Sequence, residues 1–149
     1  MFRRHHTPRQ PRGRSTLALT SAAAVLLLAA GPAGAQVASD ENPVAYADPA
    51  SADGEDSVAV GSEAQANGDY SLAVGVGAIA GFSADDRFAT AIGFEAQAGF
   101  WSTALGTYAE ALGETSAAFG YWATAAGESS TALGAMSTAE GMWSTARSE

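Results

Sequence analysis

The sequence has 149 residues, with seven Lys and Arg against sixteen Asp and Glu, a formal net charge of −9 and no cysteine. An acidic chain of this kind is repelled by phosphate backbones and anionic headgroups, which excludes nucleic-acid or membrane-surface binding through charge. The lack of cysteine excludes a disulfide framework, so stability has to come from packing and association.

Five of the seven cations, Arg3, Arg4, Arg9, Arg12 and Arg14, crowd the N-terminus. The apolar run Leu17 to Ala30 follows them, and then Gly31, Pro32 and the small triplet Ala33-Gly34-Ala35. The run is too short to cross a bilayer comfortably, and the order predicts a Sec-type signal peptide over residues 1–35, cleaved before Gln36. His5-His6-Thr7 continues a twin-arginine signal poorly. The exported chain then has no His, Lys or Cys and no membrane-spanning segment, and it sets Arg87 and Arg147 against sixteen carboxylates, a formal charge of −14.

Residues 36–56 are acidic, carry Pro43 and Pro49, and show neither helical nor strand periodicity, which predicts an acidic flexible leader. Asp53, Glu55 and Asp56 gather around Gly54, but without the alternate ligands and closing glutamate of an EF-hand loop. No metal site or cofactor is expected there or elsewhere in the chain.

From Ser57 onward the chain repeats. Glycine returns at every seventh position from Gly99 to Gly141, but a serine, any residue, an alanine and a bulky apolar residue lead into alternate glycines only, as in Ser102 to Gly106 and Ser116 to Gly120. The unit is therefore fourteen residues with two glycine corners, and self-similarity at a fixed period is the signature of units that bury their apolar faces by stacking. The coils run 57–70, 71–88, 89–101, 102–115, 116–129 and 130–143, with a partial coil to Glu149. The second is lengthened by Phe82-Ser83-Ala84-Asp85-Asp86-Arg87-Phe88 after Gly81, and the third is one residue short.

In this alignment the middle column of the first half-coil is always alanine, from Ala59 through Ala104 to Ala146. Its neighbours are Val58, Leu72, Thr90, Thr103, Ala117, Thr131 and Thr145 on one side, and Val60, Val74, Ile92, Leu105, Phe119, Leu133 and Arg147 on the other. Side chains alternate across a strand, so this strand is small or apolar on both faces and is expected to be covered on both. The second half, as in Ala64-Gln65-Ala66 and Ala109-Glu110-Ala111, places alanine on one face and mostly polar residues on the other, Ile79 being the exception. A coil of two such strands covers one face of its first strand, and another chain has to cover the second. A helix would carry a glycine cost of about 1 kcal/mol at each corner and lacks an a/d seam. Short strands turning at glycine, where positive φ is tolerated, satisfy every column.

Ser57-Val58-Ala59-Val60-Gly61-Ser62-Glu63-Ala64-Gln65-Ala66-Asn67-Gly68 resembles the head repeat of trimeric autotransporter adhesins, the YadA-like or haemagglutinin-type head, whose pattern is close to S-V-A-I-G-x-x-S-x-A-x-G. The resemblance covers residues 57–149 over successive coils. It implies an all-β, left-handed parallel β-roll of fourteen-residue coils, assembled as a homotrimer. It further implies display at the outer membrane and non-enzymatic attachment to host or abiotic surfaces, with an extracellular-matrix protein or a surface glycan as partner. Such adhesins continue into a neck, stalk and membrane anchor. None follows Glu149 here, so a truncated frame, a released head and a separately supplied anchor are all open.

Other functions are read from side chains. With no His, Cys or Lys after export, nucleophilic triads and ordinary metal sites are absent, and carboxylates are the remaining chemistry. Glu114 and Glu128 follow the second glycine of adjacent coils, about 4.8 Å apart in the stack, near the ~5 to 5.5 Å of a retaining glycosidase pair. A glycan-binding or glycan-cleaving fibre is the enzyme-class alternative, and a purely structural fragment is another. An ice-binding array would need an unbroken threonine column, which Ala117 interrupts. The candidate ligand loop is Phe82, Asp85, Asp86, Arg87 and Phe88, expected to bring its two aromatics together beside a local ion pair. The candidate surface or interface aromatics are Tyr70, Trp101, Trp122 and Trp143. Tyr70, Phe88 and Trp101 close three successive coils and are expected to stack along one corner, whereas the three tryptophans, twenty-one residues apart, alternate between corners.

Overall fold

The computed structural model describes residues 35–36 and 43–148. They form a parallel β-solenoid of two sheets without a helix. The expected signal peptide, residues 1–35, lies outside the described residues except for Ala35, which with Gln36 pairs antiparallel to Val44–Tyr46.

Each coil contributes one three-residue strand to a nine-stranded sheet and one two-residue strand to a seven-stranded sheet. The register is that of the sequence columns. Thr103, Ala104 and Leu105 pair with Thr90, Ala91 and Ile92 on one side and with Ala117, Ala118 and Phe119 on the other. Glu110 and Ala111 sit between Gln97-Ala98 and Thr124-Ala125. The last coil keeps this register, with Arg147 beside Leu133.

The leader is corrected over residues 43–56. Val44–Tyr46 pairs parallel with Val58–Val60, and Ser51–Ala52 pairs with Gln65–Ala66, so this segment is a further coil. Its Ala45 and Ala52 join the buried column. Its sequence hides the repeat because Ala47 replaces the first-corner glycine and Pro49 follows it, yet the inward residues that the stack needs are still alanine.

The interior is built almost wholly of methyl groups. Ala59, Ala73, Ala91, Ala104, Ala118 and Ala132 from the wide sheet face Ala66, Ala80, Ala98, Ala111 and Ala125 from the narrow one, and all are fully buried. With a single carbon projecting from each strand, the two sheets can approach more closely than the ~10 Å of ordinary stacked sheets. The residues flanking the alanine column therefore point outward, and Leu105 and Leu133 remain 45% and 46% exposed.

Close stacking requires glycine at both corners, since a Cβ on Gly106 would run into the backbone of Gly120 in the next coil, and the first corner adds a second reason. At the first corner Gly106 has φ of 140°, a conformation that a side chain resists. At the second corner Gly113 has no such φ. A Cβ there would run into the backbone carbonyl of Gly127 in the next coil, so at this corner close stacking alone requires glycine. The sequence expectation of positive φ at every corner glycine is thus half right. The left-handed residue of the second corner is a non-glycine two positions later, as in Tyr70, Phe88, Trp101, Thr115, Ser129 and Trp143, with φ between 51° and 58°.

A buried serine starts most coils. Ser57 Oγ donates to the Gly54 carbonyl (2.7 Å), and Ser102 Oγ lies 2.9 Å from both Gly99 O and Ala111 O. Ser116 and Ser130 are equally buried, but their hydroxyls meet no partner among the described residues. The short coil carries Ala89 at this place. Ser102→Ala is therefore expected to cost about 1 kcal/mol, the net worth of one hydrogen bond, whereas Ser116→Ala is expected to be neutral or stabilising by about 1 kcal/mol or more. Thermal unfolding of the two variants side by side checks this contrast.

Candidate functional site

Two lines of aromatic side chains run along opposite corners of the solenoid. Stacking brings equivalent residues of successive coils next to each other, so an aromatic at one corner position touches any aromatic one coil away.

Along the second corner, Tyr70 and Phe88 stack with centroids 5.2 Å apart and planes 13° from parallel. Phe88 meets Trp101 edge-on at 5.7 Å, and Trp101 stacks on Phe100. The row then turns polar, because Thr115 and Ser129 continue it with hydroxyl oxygens 2.8 Å apart. Backbone bonds hold the alignment: Tyr70 N–H donates to Glu55 O, Phe88 N–H to Asp69 O and Trp101 N–H to Arg87 O. Tyr70, Phe88 and Trp101 are neighbours along one corner as their spacing implied, but only the first two rings stack. Trp143 lies further along the same corner, 74% exposed, and Trp122 lies on the opposite corner.

The N-terminal end of this row is acidic. Tyr70 Oη donates to Glu55 (3.2 Å), and Asp69 accepts from Glu55 N–H (3.0 Å). The phenol's hydrogen bond to Glu55, together with the Glu55 charge, holds the Tyr70 phenol above its ordinary value of 10.0.

The loop after Gly81 differs from its sequence expectation in two respects. Its aromatics part company: Phe82 lies against Gly99 of the next coil, and Phe88 stacks on Tyr70 of the previous one. Its ion pair is not local either, because Arg87 Nε reaches Asp69 Oδ2 at 3.3 Å, one coil back. The reason is that the chain rejoins the stack before the loop ends. The Asp86 carbonyl faces Gly68, as the Gly68 carbonyl faces Gly54, so Asp86, Arg87 and Phe88 are regular corner residues. The true insertion is Phe82 to Asp85. The Asp86 carboxylate closes it by accepting from Phe82 N–H (2.8 Å) and Ser83 N–H (3.0 Å), and Asn67 Nδ2 donates to Gly81 O (2.9 Å) where it begins. The Asp85 side chain is exposed, and its carbonyl accepts from Arg87 N–H (3.0 Å).

Along the first corner runs a cluster that the tryptophan spacing alone did not reveal. Phe94 meets Tyr108 edge-on at 5.3 Å, Tyr108 meets Trp122 at 5.7 Å and Tyr121 at 6.4 Å, and Tyr121 stacks on Trp122 at 5.5 Å. The signal was present in the sequence as Phe94, Tyr108, Tyr121 and Trp122, each within two residues of the first glycine of consecutive coils.

The carboxylates make no comparable site. Glu114 and Glu128 occupy stacked exposed turns, linked through Ser129 N–H donating to Glu114 O (2.8 Å). Among the described residues, no group of three or more His, Cys, Asp or Glu is placed to hold a metal ion. Nor is any helix there long and apolar enough to cross a membrane.

The family model of the YadA head domain repeat matches residues 52–78, 102–123, 111–135 and 125–146. The first match begins in the coil that sequence periodicity alone had left in the leader. No curated protein matches the chain.

Proposed function

Because the repeats of this chain belong to the YadA head family, we propose that it is the head of a surface adhesin, a homotrimer that attaches a bacterial cell to host or abiotic surfaces without catalysing a reaction. The observation that carries this reading is the outward face of the nine-stranded sheet. Val58, Val60, Leu72, Val74, Ile92, Leu105, Phe119 and Leu133 line it in register, and none of them is buried within one chain. A long, regular face of apolar side chains, interrupted by Thr90, Thr103 and Thr131, is the kind of surface that monomers seldom leave open. Three copies packed through it would leave the narrow sheets, with Gln65, Glu110 and Thr138, and the aromatic corners toward solvent. The expected placement is the cell surface, after export on the signal peptide of residues 1–35.

A rigid solenoid tolerates an inserted loop at little cost, and such a loop can carry recognition. Phe82, Asp85, Asp86, Arg87 and Phe88 are thereby divided: Phe82 and Asp85 belong to the insertion, and the other three to the scaffold. Deleting Phe82 to Asp85 is expected to leave the oligomer intact, and binding of the soluble head to extracellular-matrix proteins and surface glycans shows whether the loop contributes. A loss of binding assigns recognition to the loop. Unchanged binding assigns it to the corners or the narrow sheet, and an intact head that binds no surface counts against attachment itself.

A further inference from the structure

We propose that the first-corner cluster of Phe94, Tyr108, Tyr121 and Trp122 is a docking site for a cationic partner polypeptide, one presenting lysine or arginine side chains. The proposal rests on the attachment reading and names the class of partner. Phe94, Tyr121 and Trp122 are 40%, 49% and 52% exposed, so the rings are open to solvent while fixed against one another. A cation is drawn to an aromatic face within about 6 Å of the ring centroid, most strongly to tryptophan and more often as arginine. Rings spaced 5.3 to 5.7 Å apart allow one guanidinium to meet two of them.

Charge complementarity selects this occupant. Glu95 directly follows Phe94, with its side chain leaning over Gly77 one coil back, and Glu110 follows Tyr108 by two residues on the adjoining strand. Among the described residues the chain has little of its own to fill the site, since Arg87 is paired with Asp69 on the opposite corner and Arg147 stands in the last strand. The second corner is a weaker candidate for the same reason: its own arginine already sits among its carboxylates.

The test uses the exported chain in its native oligomeric state, with labelled hexaarginine as probe and hexaserine as control, at 0.15 M salt, where surface charges further apart than about 8 Å are screened. Trp122→Leu keeps apolar bulk and net charge but removes the ring. It is expected to weaken hexaarginine binding about five- to thirtyfold, with Tyr108→Leu acting in the same direction and Trp101→Leu, on the other corner, leaving it unchanged. Circular dichroism and sedimentation confirm that each variant is folded and assembled. Equal losses at both corners, or none at Trp122, would overturn the proposal, since binding would then follow bulk charge. A change of oligomeric state in Trp122→Leu would also overturn it, by placing a second copy on the cluster. Binding of intact protein to matrix proteins and glycans reads out attachment separately. If attachment persists with Trp122 indifferent, only the cationic site fails. If the head binds no surface while hexaarginine still depends on Trp122, attachment fails and the cationic site stands.

Discussion

Gly113→Ala is expected to destabilise the protein by about 3 kcal/mol or more, while Gly99→Ala, at the same corner one coil earlier, is expected to be close to neutral. The added atom is one methyl group in both cases. At Gly113 it would overlap the backbone of Gly127, which is itself bonded into the next coil, so relief requires the stack to open. Overpacking a dense interior costs about 1 to 3 kcal/mol when side chains can adjust, and here the obstacle is main chain. At Gly99 the nearest atoms are Phe82 Cε2 at 3.3 Å and Leu112 O at 3.6 Å, and the ring belongs to an exposed loop residue that can yield. Chemical denaturation of the two variants measures the contrast, and equal losses would mean that glycine serves the corner through flexibility alone.

The second large effect is on assembly. Leu105→Glu combined with Leu133→Glu is expected to convert the oligomer to monomers at micromolar concentration, with the β-sheet circular dichroism retained. Burying each leucine contributes about 1.5 to 3 kcal/mol, and a carboxylate confined to an apolar interface without a partner costs several kcal/mol more. Both terms recur in every subunit. Within the chain these side chains point away from the alanine interior, so the solenoid itself has no reason to open. Ala104→Gln is the complementary change, because Ala104 is fully buried between the sheets. It should lower unfolding stability without first releasing monomers. Sedimentation across a concentration series separates the two behaviours, and a double glutamate variant that remains assembled would place the subunit interface elsewhere.

Much of this was legible because a solenoid converts sequence spacing directly into spatial adjacency. Once the fourteen-residue unit is aligned, Ala104 must lie beside Ala91 and Ala118, and Tyr70 beside Phe88, whatever the details of the turns. Legibility failed where a local departure hid the unit. Residues 43–56 keep the second-corner Gly54 but carry Ala47 where the first-corner glycine belongs, which hides the unit although Ala45 and Ala52 hold the interior positions. In the loop, the sequence could count four extra residues in the coil but could not say which four. That was settled by Asp86 backbone taking the place a glycine holds in other coils, which also sent Arg87 to Asp69.

The amino-acid sequence by itself determined the period, the strand register and the unbroken alanine column, because these follow from which residues recur and from the alternation of side chains along a strand. Only the tertiary structure decided which face of the wide strand is interior. Alanine and its neighbours are both apolar or small, and the choice depends on how closely two sheets can approach when methyl groups alone separate them. It also decided why the second-corner glycines are needed, since the Gly113 to Gly127 approach is a contact between coils that no single turn encodes. The joining of Phe94, Tyr108, Tyr121 and Trp122 into one cluster was likewise a matter of ring orientation, which spacing along the chain leaves open.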